Sequence, residues 1–268
     1  MKKNLTWISL FFLAAAIAAV PLLSRPNGVE RAATQGADVL RTMEAGDPNT
    51  VQDAVLTLQR ERREAEKDEI RRSLLSGETD IWSYFRDYLI VGDSRAKGFS
   101  YNGFLPEERV FAEVGDTVLK MEERIPEIAA IRPAYLFVSY GMNEFDNSSV
   151  WPNGQAYADS LERILGKIRE VLPDTEIYVN SFMEVLESGQ YEGGKWDEFD
   201  TWNDTVREMC RENGYVFVDN SKIAAEHHDL YYSDGVHFAP EFYEYWAANL
   251  IMAVYYPEAE EANANELG

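Results

Sequence analysis

Cysteine is almost absent: Cys210 is the only one in 268 residues. That excludes an intrachain disulfide and any cysteine-built zinc or iron–sulfur site. Histidine is nearly as scarce, with His227 and His228 adjacent and His237 apart. Three are too few for a histidine-rich metal centre, and no metal or organic cofactor is expected. Positive charge is outweighed, 25 Lys and Arg against 47 Asp and Glu, for a net −22 at pH 7. A chain of that sign does not displace counterions from a phosphate backbone, so nucleic acid is excluded as a partner. No GxGxxG or P-loop pattern occurs, which leaves dinucleotide and nucleotide binding without support. Internal repeats are also lacking.

What is present is unevenly distributed. Residues 1–75 carry 11 basic and 10 acidic side chains, whereas residues 76–268 carry 14 and 37. The acidic character therefore belongs to the C-terminal part, and a composition boundary falls near residue 76. At the start of the chain, Lys2 and Lys3 precede 19 uncharged residues, Leu5 to Leu23. That length fits a signal-peptide core or a short membrane span, and the leading lysines direct the remainder of the chain outward. Ala16-Ile17-Ala18 satisfies a small-x-small cleavage rule, and the lack of a following cysteine excludes a lipoprotein anchor. Residues 1–24 are thus expected to be a signal peptide or an N-terminal membrane anchor, the anchor being preferred. The product is expected to be exported, tethered to the outer face of the cytoplasmic membrane or secreted.

Residues 25–75 read as a helical spacer. Thr50 and Asp53 resemble a capping box, and no Pro or Gly interrupts Val51 to Leu75, a helix of about 37 Å. Between Arg60 and Glu69 only Ala65 is apolar, so its middle is not a packed core face. Residues 257–268 form an acidic tail with no base, expected to be disordered.

From residue 76 to 256 the pattern alternates. Short β-branched and aromatic runs at Tyr88–Val91, Arg109–Val114, Tyr135–Tyr140, Glu176–Asn180 and Tyr215–Asp219 predict five buried strands. Helical spacing predicts helices over Thr117–Ile131 (kinked or split by Pro126), Gln155–Leu172, Phe199–Asn213 capped by Gly214, and Pro240 to Met252. Such alternation means an α/β fold with a parallel five-stranded sheet.

Ligands of open parallel sheets bind beyond the carboxyl ends of the strands. Gly92-Asp93-Ser94 follows the first strand, Gly115-Asp116 the second and Gly141-Met142-Asn143-Glu144 the third. Asp234-Gly235-Val236-His237 precedes the last helix. A serine becomes a nucleophile when a base within hydrogen-bond reach takes its proton. His237 is the best base available, and Asp234 is placed to orient its imidazole. The N–H groups of Ser94 and Gly115 and the amide of Asn143 are three candidate donors to a developing oxyanion.

The ordered set GDS, Gly115, GxN and DxxH resembles the four blocks of the SGNH/GDSL hydrolase superfamily. The resemblance implies a three-layer α/β/α, flavodoxin-like fold over roughly residues 85–252. It implies Ser94 as nucleophile, Gly115 and Asn143 as oxyanion donors, and Asp234 and His237 as acid and base. Two departures are visible. Glu144 stands where the third block usually has aspartate, and Arg95 stands where the first usually has leucine. Ser94 is not within GxSxG, and Asp234 lies three residues before His237, so the α/β-hydrolase arrangement does not apply.

The expected activity is that of a serine ester hydrolase acting on small acyl esters through an acyl-enzyme, with O-acetyl groups on envelope or extracellular carbohydrate as substrate. The rivals are an O-acyltransferase using the same residues and a non-catalytic envelope interaction module. Arg95, Tyr191 and Trp196 are candidate substrate contacts, Arg95 being alternatively the partner of a surface acid. His227 and His228 read as polar surface residues and Cys210 as a packing thiol.

Overall fold

A computed structural model describes residues 48–145, 147–190 and 195–257. The chain divides into two compact units, Met1–Asp68 and Glu69–Gly268. Of the first unit, the described part is the beginning of helix α1, Pro48–Leu75. Its middle is largely exposed and carries local ion pairs such as Arg62 to Glu66, 3.0 Å apart. The helix starts three residues earlier than its capping-box signal indicates.

Among the described residues no helix is long and apolar enough to cross a membrane. The signal-anchor expectation is corrected to this extent: no described helix supports a membrane span, and residues 5–23, which suggested it, lie outside the described residues, as do Tyr191 and the tail from residue 258.

The second unit contains strands β1 (Tyr88–Gly92), β2 (Val110–Ala112), β3 (Tyr135–Ser139), β4 (Glu176–Asn180) and β5 (Val216–Val218). Its further helices are α2 (Ser94–Tyr101), α3 (Val118–Glu123), α4 (Ile125–Ile131), α5 (Gly154–Val171), α6 (Phe199–Asn213), α7 (Ser221–Glu226) and α8 (Phe242–Tyr255). The strands form one sheet in the order β2-β1-β3-β4-β5. All pairings are parallel, with Val91 opposite Phe111 and Val138, and Val138 opposite Val179.

Side chains alternate across a strand, so each apolar run supplies both faces of the sheet. Leu89, Val91, Leu136, Val138, Ile177 and Val179 join α3, α4, α5 and α6 through residues such as Met121, Ile128, Leu161 and Trp202. Tyr88, Ile90, Phe137 and Tyr178 join Leu74 of α1, Phe99 of α2 and Trp246 of α8 on the other face. The result is a three-layer α/β/α fold, as expected. The helical stretch over Thr117–Ile131 is split rather than kinked, divided at Arg124 with Pro126 in the first turn of α4, where proline's missing N–H has no helical partner to lose. Helix α8 begins at Phe242, after a turn in which Tyr243 N–H reaches the Pro240 carbonyl.

Two buried polar links tighten the carboxyl end of the sheet. Asn203 of α6 accepts from Phe182 N–H at 2.7 Å and donates to the Phe182 carbonyl at 3.1 Å. Asn180 Oδ1 accepts from Asn220 Nδ2 and Trp246 Nε1 at 2.7 and 3.0 Å. Helix α2 meets α8 closely at Gly98, where a Cβ would lie 1.7 Å from the Tyr243 hydroxyl oxygen. Gly98→Ala is therefore expected to destabilise the fold by about 1–3 kcal/mol net, despite the helix propensity gained. A urea-unfolding midpoint shifted downward is the measurement that checks it.

Candidate active site

The strand order reverses between β1 and β3, and that switch point opens a crevice at the carboxyl ends of the sheet. Ser94 follows β1 there, as the first residue of α2. Asp93 is the N-cap: its Oδ1 accepts from Arg95 N–H at 3.0 Å. Its Oδ2 accepts from Met142 N–H at 3.3 Å, and its backbone N–H donates to the Ser139 carbonyl. Asp93 thus joins the Ser94 turn to the loop after β3. Burial pushes its carboxyl pKa up, against the Arg95 guanidinium and the two backbone N–H groups.

Asp234 and His237 lie between Tyr231 and Phe238, which form an antiparallel bridge. Gly235 has φ +67°, in the left-handed region that glycine adopts without steric cost. That turn lets Asp234 Oδ1 accept from Val236 and His237 N–H at 2.8 and 2.9 Å, while Oδ2 lies 2.8 Å from His237 Nδ1. Partial burial raises the Asp234 carboxyl pKa, but these hydrogen bonds outweigh it and hold it below the ordinary value. An ionised carboxylate only accepts, so Nδ1 carries hydrogen and Nε2 is left to accept. His237 Nε2 lies 2.9 Å from Ser94 Oγ. The order Ser94–His237–Asp234 is therefore a continuous hydrogen-bonded chain, open to solvent along its histidine and aspartate.

A family model for GDSL-like lipases and acylhydrolases matches residues 90–245, more than half of the chain. The chain belongs to the GDSL-like lipase/acylhydrolase family. Its members are hydrolases of acyl esters as a class. Solved structures agree on the fold. A putative GDSL-like lipase from Parabacteroides merdae is 17% identical, with 62% of this chain and 97% of that one covered at a TM-score of 0.50. A GDSL-like lipase from Bacteroides thetaiotaomicron is 14% identical, covering 62% and 86% at 0.52. A catalytic mutant of an acetylxylan esterase from Geobacillus stearothermophilus is 16% identical, covering 63% and 94% at 0.50. No curated protein sequence matches the chain.

Within this GDSL-like chain the remaining candidates are placed as follows. Gly115 lies in the turn after β2, with φ +82°. Asn143 donates from Nδ2 to the Asp116 carbonyl at 2.7 Å, which ties the loop after β3 to the residue following Gly115. An amide has two donor hydrogens, so this bond leaves one for a ligand. Trp196 is half-buried against the core, with its ring 6.2 Å from that of Phe199. His227 packs against the Tyr245 ring in a tilted arrangement, whereas His228 pairs with Glu184 at 2.7 Å; the two histidines serve different partners. Among the described residues, no group of three or more His, Cys, Asp or Glu is placed to hold a metal ion. Cys210 is buried, and burial pushes its thiol up to about 12, away from reactivity.

Arg95 requires a correction. It is not the partner of a surface acid: it is 4% exposed, and its guanidinium donates to three backbone carbonyls, Val236, Met183 and Glu184, at 2.7–2.9 Å. A cation buried beside an apolar core holds such bonds because leaving them unmade is costly.

Glu144, the departure in the third block, is an anchor. Its Oε1 accepts from Val118 N–H at 2.6 Å, fastening the Asn143 loop to the start of α3. Complete burial, with Asp93 adding repulsion, pushes its carboxyl up from 4.5 to about 8 against the Val118 bond. A carboxyl whose folded value is raised holds its proton more tightly when folded. Its contribution is fully present below about 4.5 and is lost as pH rises toward 8. Stability is expected to fall across that window by up to about 1.4 kcal/mol per pH unit more in the wild type than in Glu144→Gln. Urea titrations of both proteins at several pH values check the difference in slope.

Proposed function

We propose that the protein is a serine ester hydrolase of small acyl groups, with catalysis assigned to residues 76–256. The observation that carries this reading is the continuous chain from Ser94 Oγ to His237 Nε2 at 2.9 Å and from His237 Nδ1 to Asp234 at 2.8 Å. In the proposed reaction His237 Nε2 takes the hydroxyl proton as Ser94 Oγ attacks the ester carbonyl. Asp234 holds the imidazole orientation and stabilises the imidazolium. The tetrahedral oxyanion is assigned to Ser94 N–H, Gly115 N–H and the remaining Asn143 amide hydrogen. His237 then protonates the leaving alcohol, and water repeats the sequence on the acyl-enzyme to release the acid.

The substrate we propose is an O-acetylated carbohydrate. The solvent-open histidine and aspartate suit an ester displayed on a bulky glycan, and an acetylxylan esterase is among the structurally similar proteins. Lys2 and Lys3 ahead of the uncharged stretch support secretion, so that the ester is met outside the cell. The test is a p-nitrophenyl ester series from acetate upward, together with an acetylated xylooligosaccharide followed by mass spectrometry. Loss of acetyl from the oligosaccharide, with acetate the best of the series, is the expected result. Preference for long acyl chains, with the oligosaccharide untouched, overturns the substrate assignment. Transfer of acetyl to an added sugar acceptor in preference to water overturns hydrolysis.

A further inference from the structure

The residue after the proposed nucleophile gathers three separate parts of the chain. The Arg95 Nε donates to the Val236 carbonyl at 2.8 Å, and the guanidinium lies 4.9 Å over the Phe238 ring. Those are the two residues on either side of His237. Nη1 and Nη2 donate to the Met183 and Glu184 carbonyls at 2.7 and 2.9 Å, in the loop after β4. The backbone of Arg95 is fixed as well: its N–H is held by Asp93 and its carbonyl accepts from the Tyr243 hydroxyl at 2.8 Å.

We propose that Arg95 is a positioning residue, whose guanidinium fixes the His237 segment at hydrogen-bonding distance from Ser94. The proposal rests on the reading of Ser94 and His237 as the reacting pair. A planar guanidinium presents several N–H groups in a rigid fork, so three carbonyls from two loops are satisfied at once. Leucine offers none of these bonds, and lysine offers a compact cation without the fork. Ser94 and Arg95 are consecutive, so a shift of the His237 segment relative to the guanidinium is a shift relative to the nucleophile. Displacements near 1 Å in such a pair cost about 10²-fold in rate.

The test compares the full-length wild type with Arg95→Met and Arg95→Lys. Two readouts are taken: the far-downfield proton resonance of His237 Nδ1–H in its bond to Asp234, and kcat and KM for p-nitrophenyl acetate. Arg95→Met is expected to broaden or lose the resonance and to lower kcat by about 10²-fold with KM within about threefold, because the ester itself does not touch Arg95. Arg95→Lys is expected to fall between, and it replaces the methionine variant if that chain does not fold. A variant that folds with the resonance intact and kcat within about twofold of wild type overturns the proposal. If the wild type hydrolyses no ester, the esterase reading fails; the positioning role then stands or falls on the resonance alone.

Discussion

Ser94→Ala is expected to lower kcat for p-nitrophenyl acetate by about 10⁴-fold or more while leaving the urea midpoint close to wild type. The two halves of that expectation come from the same geometry. The Ser94 hydroxyl is hydrogen-bonded to His237, whereas α2 is capped by Asp93 and held at its back by Phe99 and Ala96 in the core. Removing the oxygen deletes the only proposed nucleophile and leaves the cap and the packing untouched. Parallel steady-state kinetics and unfolding curves check both halves. A variant that retains rate without Ser94 would place the chemistry elsewhere.

Asp234→Asn is expected to lower kcat by about 10³–10⁴-fold, for a reason that depends on tautomers. Asp234 Oδ1 accepts two backbone N–H bonds, which an asparagine oxygen retains. The other carboxylate oxygen faces His237 Nδ1 at 2.8 Å. An amide NH₂ in its place donates, so Nδ1 must accept and the ring hydrogen moves to Nε2. Nε2 then faces Ser94 as a donor and no longer takes the hydroxyl proton. The turn is preserved and the base is wrong, so KM is expected to change little. The pH-rate profile of the variant, in which activity reappears where hydroxide deprotonates the serine, checks the cause.

The site was legible in the sequence to the extent that its residues sit at the ends of apolar runs. Each strand shows itself as a short buried stretch, and a parallel sheet delivers the residues that follow its strands to one rim. That reasoning reaches Ser94, Gly115 and Asn143; Asp234 and His237 stand instead before the last helix, where their spacing of three and the resemblance to the family's fourth block point to them. It does not reach the bonds that hold them. The carbonyl partners of Arg95 lie 88, 89 and 141 positions away, in loops with no periodicity of their own. A buried arginine satisfied by main chain looks, in sequence, like a surface cation. Glu144 is similar: its acidity depends on burial against Asp93 and on one N–H from α3, neither of which is local. The short helix Ser221–Glu226 is not legible because six residues leave too few turns for a periodic signal.

The departures from the usual motif spelling have physical counterparts. Arg95 bonds to the backbone of two loops, and Glu144 uses its carboxyl to join the Asn143 loop to the segment that follows Gly115. Both are long, buried and hydrogen-bonded. They link loops that carry proposed reacting groups, which accounts for polar side chains where apolar or shorter ones would pack more easily.

Catalysis as proposed depends on His237 activating Ser94. A fluorophosphonate probe reacts covalently with a serine only when that serine is activated, and digestion followed by mass spectrometry locates the adduct. An adduct on Ser94 is expected in the full-length wild type, with its loss in His237→Ala. A folded wild-type chain with Ser94 unlabelled, or a His237→Ala chain labelled as fast as wild type, would contradict it.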